Sequence, residues 1–175
     1  MAKMNNIENW IKVAGFETYS VSDRGNVRND KTGRILNPGT NTHGYLYVNL
    51  RKNKKPSIKD VHRLVSLAFI PNPENKKCVD HINNDIKNNK LTNLRWVTAQ
   101  QNQQNAKKSK RNTSGAKGVY YVKKTNKWIA RITIDGKTIN LGSYMKKEDA
   151  VMIRIQRAKD EFGEYMNACE IILNV

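Results

Sequence analysis

The spacing of hydrophobic and polar residues changes several times along the chain, and each change predicts a different element. Residues 44–50 alternate strictly, which predicts a strand with one buried face formed by Leu46, Val48 and Leu50. From Asp60, the expected N-cap, apolar residues recur at helical spacing, and this predicts a helix that ends before Pro71. The longest apolar runs are a few residues, so no membrane-spanning segment is predicted.

The N-terminal and C-terminal regions of the chain each have the pattern of a separate module. Residues 1–55 predict a small β-rich module with tight turns, which ends in a basic connector over 51–55. Residues 116–167 predict three strands over 118–122, 128–134 and 137–141, followed by a helix that stops near Gly163. Because one face of the sheet must be buried on the helix, the other face is predicted to be polar, basic and exposed.

The stretch from Cys78 to Asn102 predicts a strand, a loop, a second strand and a helix. Asp80 and His81 end the first strand, and an asparagine-rich loop separates them from the second strand, which starts near Asn93. Thr98-Ala99-Gln100-Gln101 has the capping-box pattern and predicts a helix start, which places Asn102 early on the helix.

These residue types are suited to cleavage of a phosphodiester bond. The Asp80 carboxylate and the Asn102 amide oxygen are hard ligands of the kind that a divalent cation prefers. His81 has an imidazole whose ordinary pKa is near neutrality, so it is a candidate general base for an attacking water. Asn93 is a candidate to tie the loop across the hairpin. An EF-hand that starts at Asp80 is excluded because positions 85 and 91 are not Gly and Glu, and the cysteines do not form a zinc pattern.

The stretch VDHINND…NNKLTNLRWVT resembles the HNH homing endonucleases of phages and introns, in the variant with Asn at the last motif position. The resemblance implies a ββα-metal finger with one divalent ion per active site, expected to be Mg²⁺ (or Mn²⁺). No structural zinc is expected, because the cysteines form no zinc pattern. The resemblance also implies that His81 is the general base, Asn93 a structural part of the catalytic motif, and Asp80 and Asn102 the metal ligands.

Two further resemblances flank this motif. The N-terminal pattern W-I…G-F-E…Y-S-V-S-x-x-G-x-V-R resembles a short modular motif found ahead of HNH domains, which implies that residues 1–55 contact DNA beside the nuclease. A hairpin that only supports the finger is an equal alternative for any one residue. Residues 117–167 resemble the Apetala2/ethylene-response-factor DNA-binding domain. That likeness implies DNA contacts from one sheet face, through Lys117, Tyr120, Arg131, Thr133 and Thr138.

Charge points to the same class of partner. The net charge is +17, and residues 86–134 contain Lys and Arg but no Asp or Glu. A positive charge of this size favours a polyanionic binding partner. Double-stranded DNA is therefore the expected partner, with further contacts from Arg95, Lys107, Lys108, Lys110 and Arg111. Two distant cysteines and the absence of an apolar signal core predict a cytoplasmic protein, and the resemblance implies a bacterial host and a phage or intron source.

The predicted fold is α+β: a ββα-metal finger between a β-rich N-terminal module and a C-terminal three-stranded antiparallel sheet with a helix. The predicted boundaries are 1–55, 56–109, 110–167 and a tail over 168–175. The leading hypothesis is a metal-dependent, site-specific DNA endonuclease that acts as a monomer. A transcriptional regulator with an inactive finger is the second hypothesis, and an RNA-binding protein or maturase is the third.

Overall fold

The computed structural model describes residues 7–109 and 111–167. Lys110 and the tail at 168–175 therefore lie outside the described residues. The chain divides into two compact units, Met1–Thr98 and Ala99–Val175. We call them unit 1 and unit 2 and describe each by itself. The division falls before the predicted boundary at residue 110, so the helix that follows Thr98 belongs to unit 2.

Over its described residues, 7–98, unit 1 contains three small antiparallel sheets and one α-helix. Its first sheet has the order β1-β2-β3, its second the order β4-β5-β6, and its third is the hairpin β7-β8. The bounds are β1 Trp10–Val13, β2 Phe16–Ser22, β3 Val27–Asn29, β4 Gly39–Thr40, β5 Leu46–Lys52, β6 Lys55–Asp60, α1 Val61–Phe69, β7 Cys78–His81, a short 3-10 turn at Leu91–Asn93, and β8 Leu94–Val97.

One hydrophobic core is shared by the two modules that the sequence predicts in this region. Val21 and Val27 of the first sheet, Leu50 of β5, Val65 of α1 and Leu94 of β8 belong to the same buried cluster. The helix α1 buries the apolar side that its spacing predicted. Because the side chains of both modules exclude water from one interior, the N-terminal strands stabilise the segment that carries Asp80 and His81.

The basic connector predicted over residues 51–55 is wrong. Strand β5 continues to Lys52 and pairs with β6 through a two-residue turn at Asn53-Lys54. Both turn residues have positive φ, 51° and 64°, as a tight hairpin turn of this kind requires. The turn lacks the glycine that usually marks such hairpins. Pro56 also makes the strand hard to predict from the sequence, because proline is uncommon in strands. It is tolerated here because β6 is at the edge of its sheet.

The start of α1 also differs in detail from the prediction. Asp60 occupies the N-cap position, but its side chain makes no capping hydrogen bond. Its carboxylate instead lies 3.5 Å from the amide nitrogen of Asn41. The position of a helix start was therefore predicted correctly, whereas the chemistry of the cap was not.

Unit 2 contains the helix α2 (Ala99–Asn105), a three-stranded antiparallel sheet and the helix α3 (Lys147–Phe162). The strands are β9 Val119–Val122, β10 Lys127–Ile134 and β11 Lys137–Tyr144, in the order β11-β10-β9. The turn at Asp135-Gly136 has positive φ at both residues, and α3 ends at Gly163, as the sequence predicted. The mixed α and β character of the prediction is confirmed.

The sheet of unit 2 buries one face against α3. Ala130 and Ile132 of β10 form one core with Ala150, Ile155 and Phe162. A bulge between Ala130 and Arg131 shifts the pairing with β11, although Ile132 still faces Ile139. Ile139 was predicted on the buried face, but it is 38% exposed, so the apolar pattern at the end of this hairpin does not mark core.

Candidate active site

Asp80 and His81 end strand β7, and the neighbouring strand β8 fixes their position. Asp80 pairs with Arg95, and His81 pairs with Leu94. Both side chains are shielded from water, with exposures of 5% and 4%. Adjacent polar side chains of this kind would be costly to bury without partners, so their partners determine what the site can do.

Arg95 is the charged partner of Asp80. Its Nε and one terminal nitrogen both lie 2.9 Å from the Asp80 Oδ2. A planar guanidinium that contacts a carboxylate through two nitrogens restricts the orientation of that carboxylate. The sequence predicted a DNA contact for Arg95. The structure places its guanidinium against Asp80, and a DNA contact stays a prediction.

Asn93 closes the asparagine-rich loop that follows His81. Its side-chain nitrogen donates to the Asn88 carbonyl at 2.8 Å, and its side-chain oxygen accepts from the Asn83 backbone at 3.0 Å. Its own carbonyl accepts from the backbone of Ile82 at 2.9 Å. One residue thus joins both ends of the loop to the hairpin, which is the tie that the sequence suggested.

Asn89, which the sequence analysis did not single out, lies next to His81. The His81 Nε2 lies 2.9 Å from the Asn89 Oδ1, in a contact buried on both sides. Asn89 is only 4% exposed. Its position in a run of polar residues made it resemble an ordinary loop asparagine, and only the three-dimensional contact distinguishes it.

Two aromatic rings lie close to the His81 ring. The His62 ring centroid lies 5.3 Å from that of His81, and the Tyr45 ring lies 4.9 Å from His62 and 5.9 Å from His81. His62 is buried on α1. Burial, reinforced by the nearby His81, lowers the pKa of His62 to about 4. His62 is therefore neutral at physiological pH.

Asn102, the second predicted metal ligand, is the fourth residue of α2 and belongs to unit 2. The helix is short and mostly polar, so it has little intrinsic stability. Its C-terminal end is held within unit 2: Lys117 donates to the carbonyls of Gln104 and Ala106, and Asn167 donates to the carbonyl of Asn105. The predicted DNA-binding residue Lys117 thus has a structural contact, while its DNA contact stays a prediction.

The remaining predicted DNA-binding residues lie in two regions of unit 2. Arg131, Thr133 and Thr138 are exposed, the two threonine hydroxyls are 3.2 Å apart, and the Arg131 guanidinium lies 5.1 Å from the centre of the Tyr120 ring. These four residues therefore form one polar surface. Lys107, Lys108 and Arg111 are exposed in the segment before β9, and Lys108 contacts the Gly115 carbonyl at 3.0 Å.

Family models match two parts of the chain. The NUMOD4 motif matches residues 8–51, and the HNH endonuclease model matches residues 59–104. A solved structure of DNA binding and cleavage by the HNH homing endonuclease I-HmuI matches over 82% of both chains, with 31% identity and a TM-score of 0.54. The chain belongs to the HNH endonuclease family. Among curated relatives, the DNA endonuclease I-HmuI of Bacillus phage SP01 is 38% identical over 97 residues, which are 55% of this chain and 56% of that protein.

A relative of different length is also similar to this HNH chain. An uncharacterized HNH endonuclease of Acanthamoeba polyphaga mimivirus is 46% identical over 109 residues, which are 61% of this chain. The matched region is only 27% of that relative. The chain thus spans about a quarter of the length of this viral relative. Within the described parts of the HNH chain, no helix is long and apolar enough to cross a membrane.

Proposed function

We propose that this HNH protein is a divalent-metal-dependent, site-specific DNA endonuclease. The observation that carries the proposal is the placement of Asp80 and His81 side by side at the end of β7, with the following loop closed by Asn93. A carboxylate and an imidazole on consecutive residues at one strand end would provide a metal ligand and a general base for the same site. The similarity to the HNH homing endonuclease I-HmuI, whose solved structure concerns DNA binding and cleavage, supports DNA as the substrate.

The donor atoms near Asp80 suit a hard cation such as Mg²⁺ or Mn²⁺. Asp80 provides a buried carboxylate, and no group of three or more His, Cys, Asp or Glu side chains converges among the described residues. An ion held by Asp80 and Asn102 would therefore keep positions for water and for phosphate oxygens, as Mg²⁺ sites in phosphoryl chemistry usually do. When bound, the ion would offset negative charge on the phosphate and on the leaving oxygen.

The protein's own side chains divide the remaining tasks. His81 accepts a proton from a water that attacks the phosphorus, and the bond from phosphorus to the 3′-oxygen breaks. Arg95 restrains the Asp80 carboxylate, and Asn93 holds the loop against the hairpin so that His81 keeps its orientation. General-base help of this kind is worth about 10²–10⁴ in rate.

The basic residues supply most of the affinity in this proposal. The net charge of +17 favours contact with DNA phosphates, which contribute affinity without regard to sequence. The surface formed by Tyr120, Arg131, Thr133 and Thr138 would read bases, as a sheet in the major groove can do. The single finger of each protomer would hold one metal site. A monomer would therefore cut one strand per event, in the cytoplasm of a bacterial host.

A DNA-binding regulator with an inactive finger is the alternative, and the polar sheet surface of unit 2 is the observation that favours it. Incubation of supercoiled plasmid with the protein in EDTA, Mg²⁺ or Mn²⁺ separates the two. We expect nicking only with metal, at a limited set of sites when the ends are mapped on a random-sequence library. A protein that retards DNA on a gel but never nicks it with either metal would support the regulator and refute the nuclease proposal.

A further inference from the structure

We infer that Asn89 is a positioning residue, and that it acts by fixing which ring nitrogen of His81 carries the proton. The inference rests on the proposed nuclease function and identifies a further residue of that site. An amide oxygen can only accept a hydrogen bond. The 2.9 Å contact between the Asn89 Oδ1 and the His81 Nε2 therefore requires the proton on Nε2. In the neutral ring, the lone pair that can accept a proton from water is then on Nδ1.

The surroundings of Asn89 favour this role over a general packing role. The Asn89 side chain is buried, and its amide nitrogen has no hydrogen-bond partner within the described residues. An asparagine placed only to satisfy the loop would use both ends of its amide. Among the residues that the structure describes, the Asn89 side chain makes its one hydrogen bond with the candidate base.

The turn between β2 and β3 holds Asn89 in place. The Leu91 backbone donates to the Asp23 carbonyl at 2.8 Å, which attaches the loop to this turn. At Gly25, φ is +85°, and a Cβ built there would lie 3.0 Å from both the Cβ and the carbonyl oxygen of Asn89. The glycine therefore permits an approach that a side chain would obstruct. The N-terminal strands thus reach the active site through this turn, in addition to any DNA contact that they make.

The tautomer of His81 can be measured directly in the wild-type protein. Long-range ¹H–¹⁵N NMR correlations distinguish the two neutral forms of a histidine ring, and the chain has 3 histidines, so His81→Ala assigns the signal. In the neutral form of the ring, we expect His81 to carry its proton on Nε2. A proton on Nδ1 would overturn the inference, whatever the variants do.

Variants at Asn89 test the consequence for cleavage. Asn89→Leu should lower single-turnover cleavage by about 10–100-fold, by analogy with the loss of a partner that orients a metal-ligating histidine. Its dissociation constant for DNA should not change. Asn89→Asp keeps an acceptor at the same place and should retain the Nε2–H form and more of the rate. Asn49→Leu, the same change at an exposed position on β5, is the control and should cleave normally.

A second pair of variants tests the turn. Gly25→Ala and Gly33→Ala both place an L-residue at positive φ, but a Cβ at Gly33 has nothing within 4 Å. Both should lower the melting temperature, whereas only Gly25→Ala should lower the cleavage rate of the folded protein. Equal rates in the two folded variants, or an Asn89→Leu protein that cleaves at the wild-type rate, would refute the positioning role. A wild-type protein that never cleaves would refute the proposed function, and the NMR measurement would still decide where the His81 proton lies.

Discussion

Acid should destabilise unit 1 through His62. The buried ring lies next to Tyr45 and His81, and its Nδ1 has no hydrogen-bond partner within the described residues. Its pKa falls from 6.5 to about 4. The unfolded chain therefore binds a proton at a pH where the folded chain does not. The free energy of unfolding of unit 1 is therefore unaffected by His62 above about pH 6.5, and it decreases as the pH falls towards 4. Linkage gives a loss of about 2 kcal/mol at pH 5 and about 3 kcal/mol at pH 4.

Urea unfolding with and without His62 measures this loss. The chain has 3 tryptophans, and Trp128→Phe leaves Trp10 and Trp96 as fluorescent reporters of unit 1. In that background, His62→Phe keeps an aromatic ring against Tyr45 but cannot be protonated. We expect the free energy of unfolding to fall by about 3 kcal/mol more in the parent than in His62→Phe between pH 7 and pH 4.

The control is His43→Phe, the same change at an exposed histidine, which should follow the parent at every pH. EDTA in all samples removes any contribution from bound metal. Parallel pH profiles for the parent and His62→Phe would refute the claim that the buried ring is held neutral by its surroundings.

Three further predictions concern the site and its support. Asp80→Ala should abolish detectable Mn²⁺ binding by calorimetry and lower cleavage at least ~100-fold while DNA affinity stays within a few-fold, because the ion is required for chemistry more than for docking; an equal loss of affinity would make Asp80 structural. Asn167→Ala removes the hydrogen bond to the Asn105 carbonyl at the end of α2, so it should lower cleavage more than binding. Arg131→Ala/Thr133→Ala should instead weaken binding more than it lowers the rate on bound DNA, and the reverse pattern would contradict both assignments. Burial raises the pKa of Asp30, but hydrogen bonds from Lys12, Ser20 and Arg28 outweigh it and hold this pKa at about 2. The stability that this carboxylate contributes should therefore be present above about pH 4 and lost as the pH falls towards 2. Coincident acid unfolding curves for Asp30→Asn and the parent would argue against this contribution.

The sequence was most informative where a local pattern determines a local structure. The alternation at residues 44–50 predicts β5, the helical spacing after Asp60 predicts α1, and Asp135-Gly136 predicts the β10–β11 turn. In each case the side chains that set the pattern are the ones that the element buries, or the turn residues are those that tolerate the required φ. The adjacency of Asp80 and His81 needed no folding information at all.

The sequence was least informative where distant segments meet. Strand β6 was missed because its turn, Asn53-Lys54, carries no glycine and because Pro56 is uncommon in strands. Asn89 was missed because its role depends on contacts with His81 and with the β2–β3 turn, which come from separate parts of the chain. The core that joins the N-terminal strands to β8 is likewise a product of packing between segments, and no single pattern encodes it.

The central claim is that His81 is the base in a metal-dependent cut made on bound DNA. Its most direct test is single-turnover cleavage of one mapped duplex in Mg²⁺ by the wild type and by His81→Ala, with the dissociation constant of each measured on the same duplex in Ca²⁺. We predict equal dissociation constants within about two-fold and a cleavage rate lowered by about 10²–10⁴ in the variant. A variant that binds equally well and cuts at the wild-type rate would contradict the account.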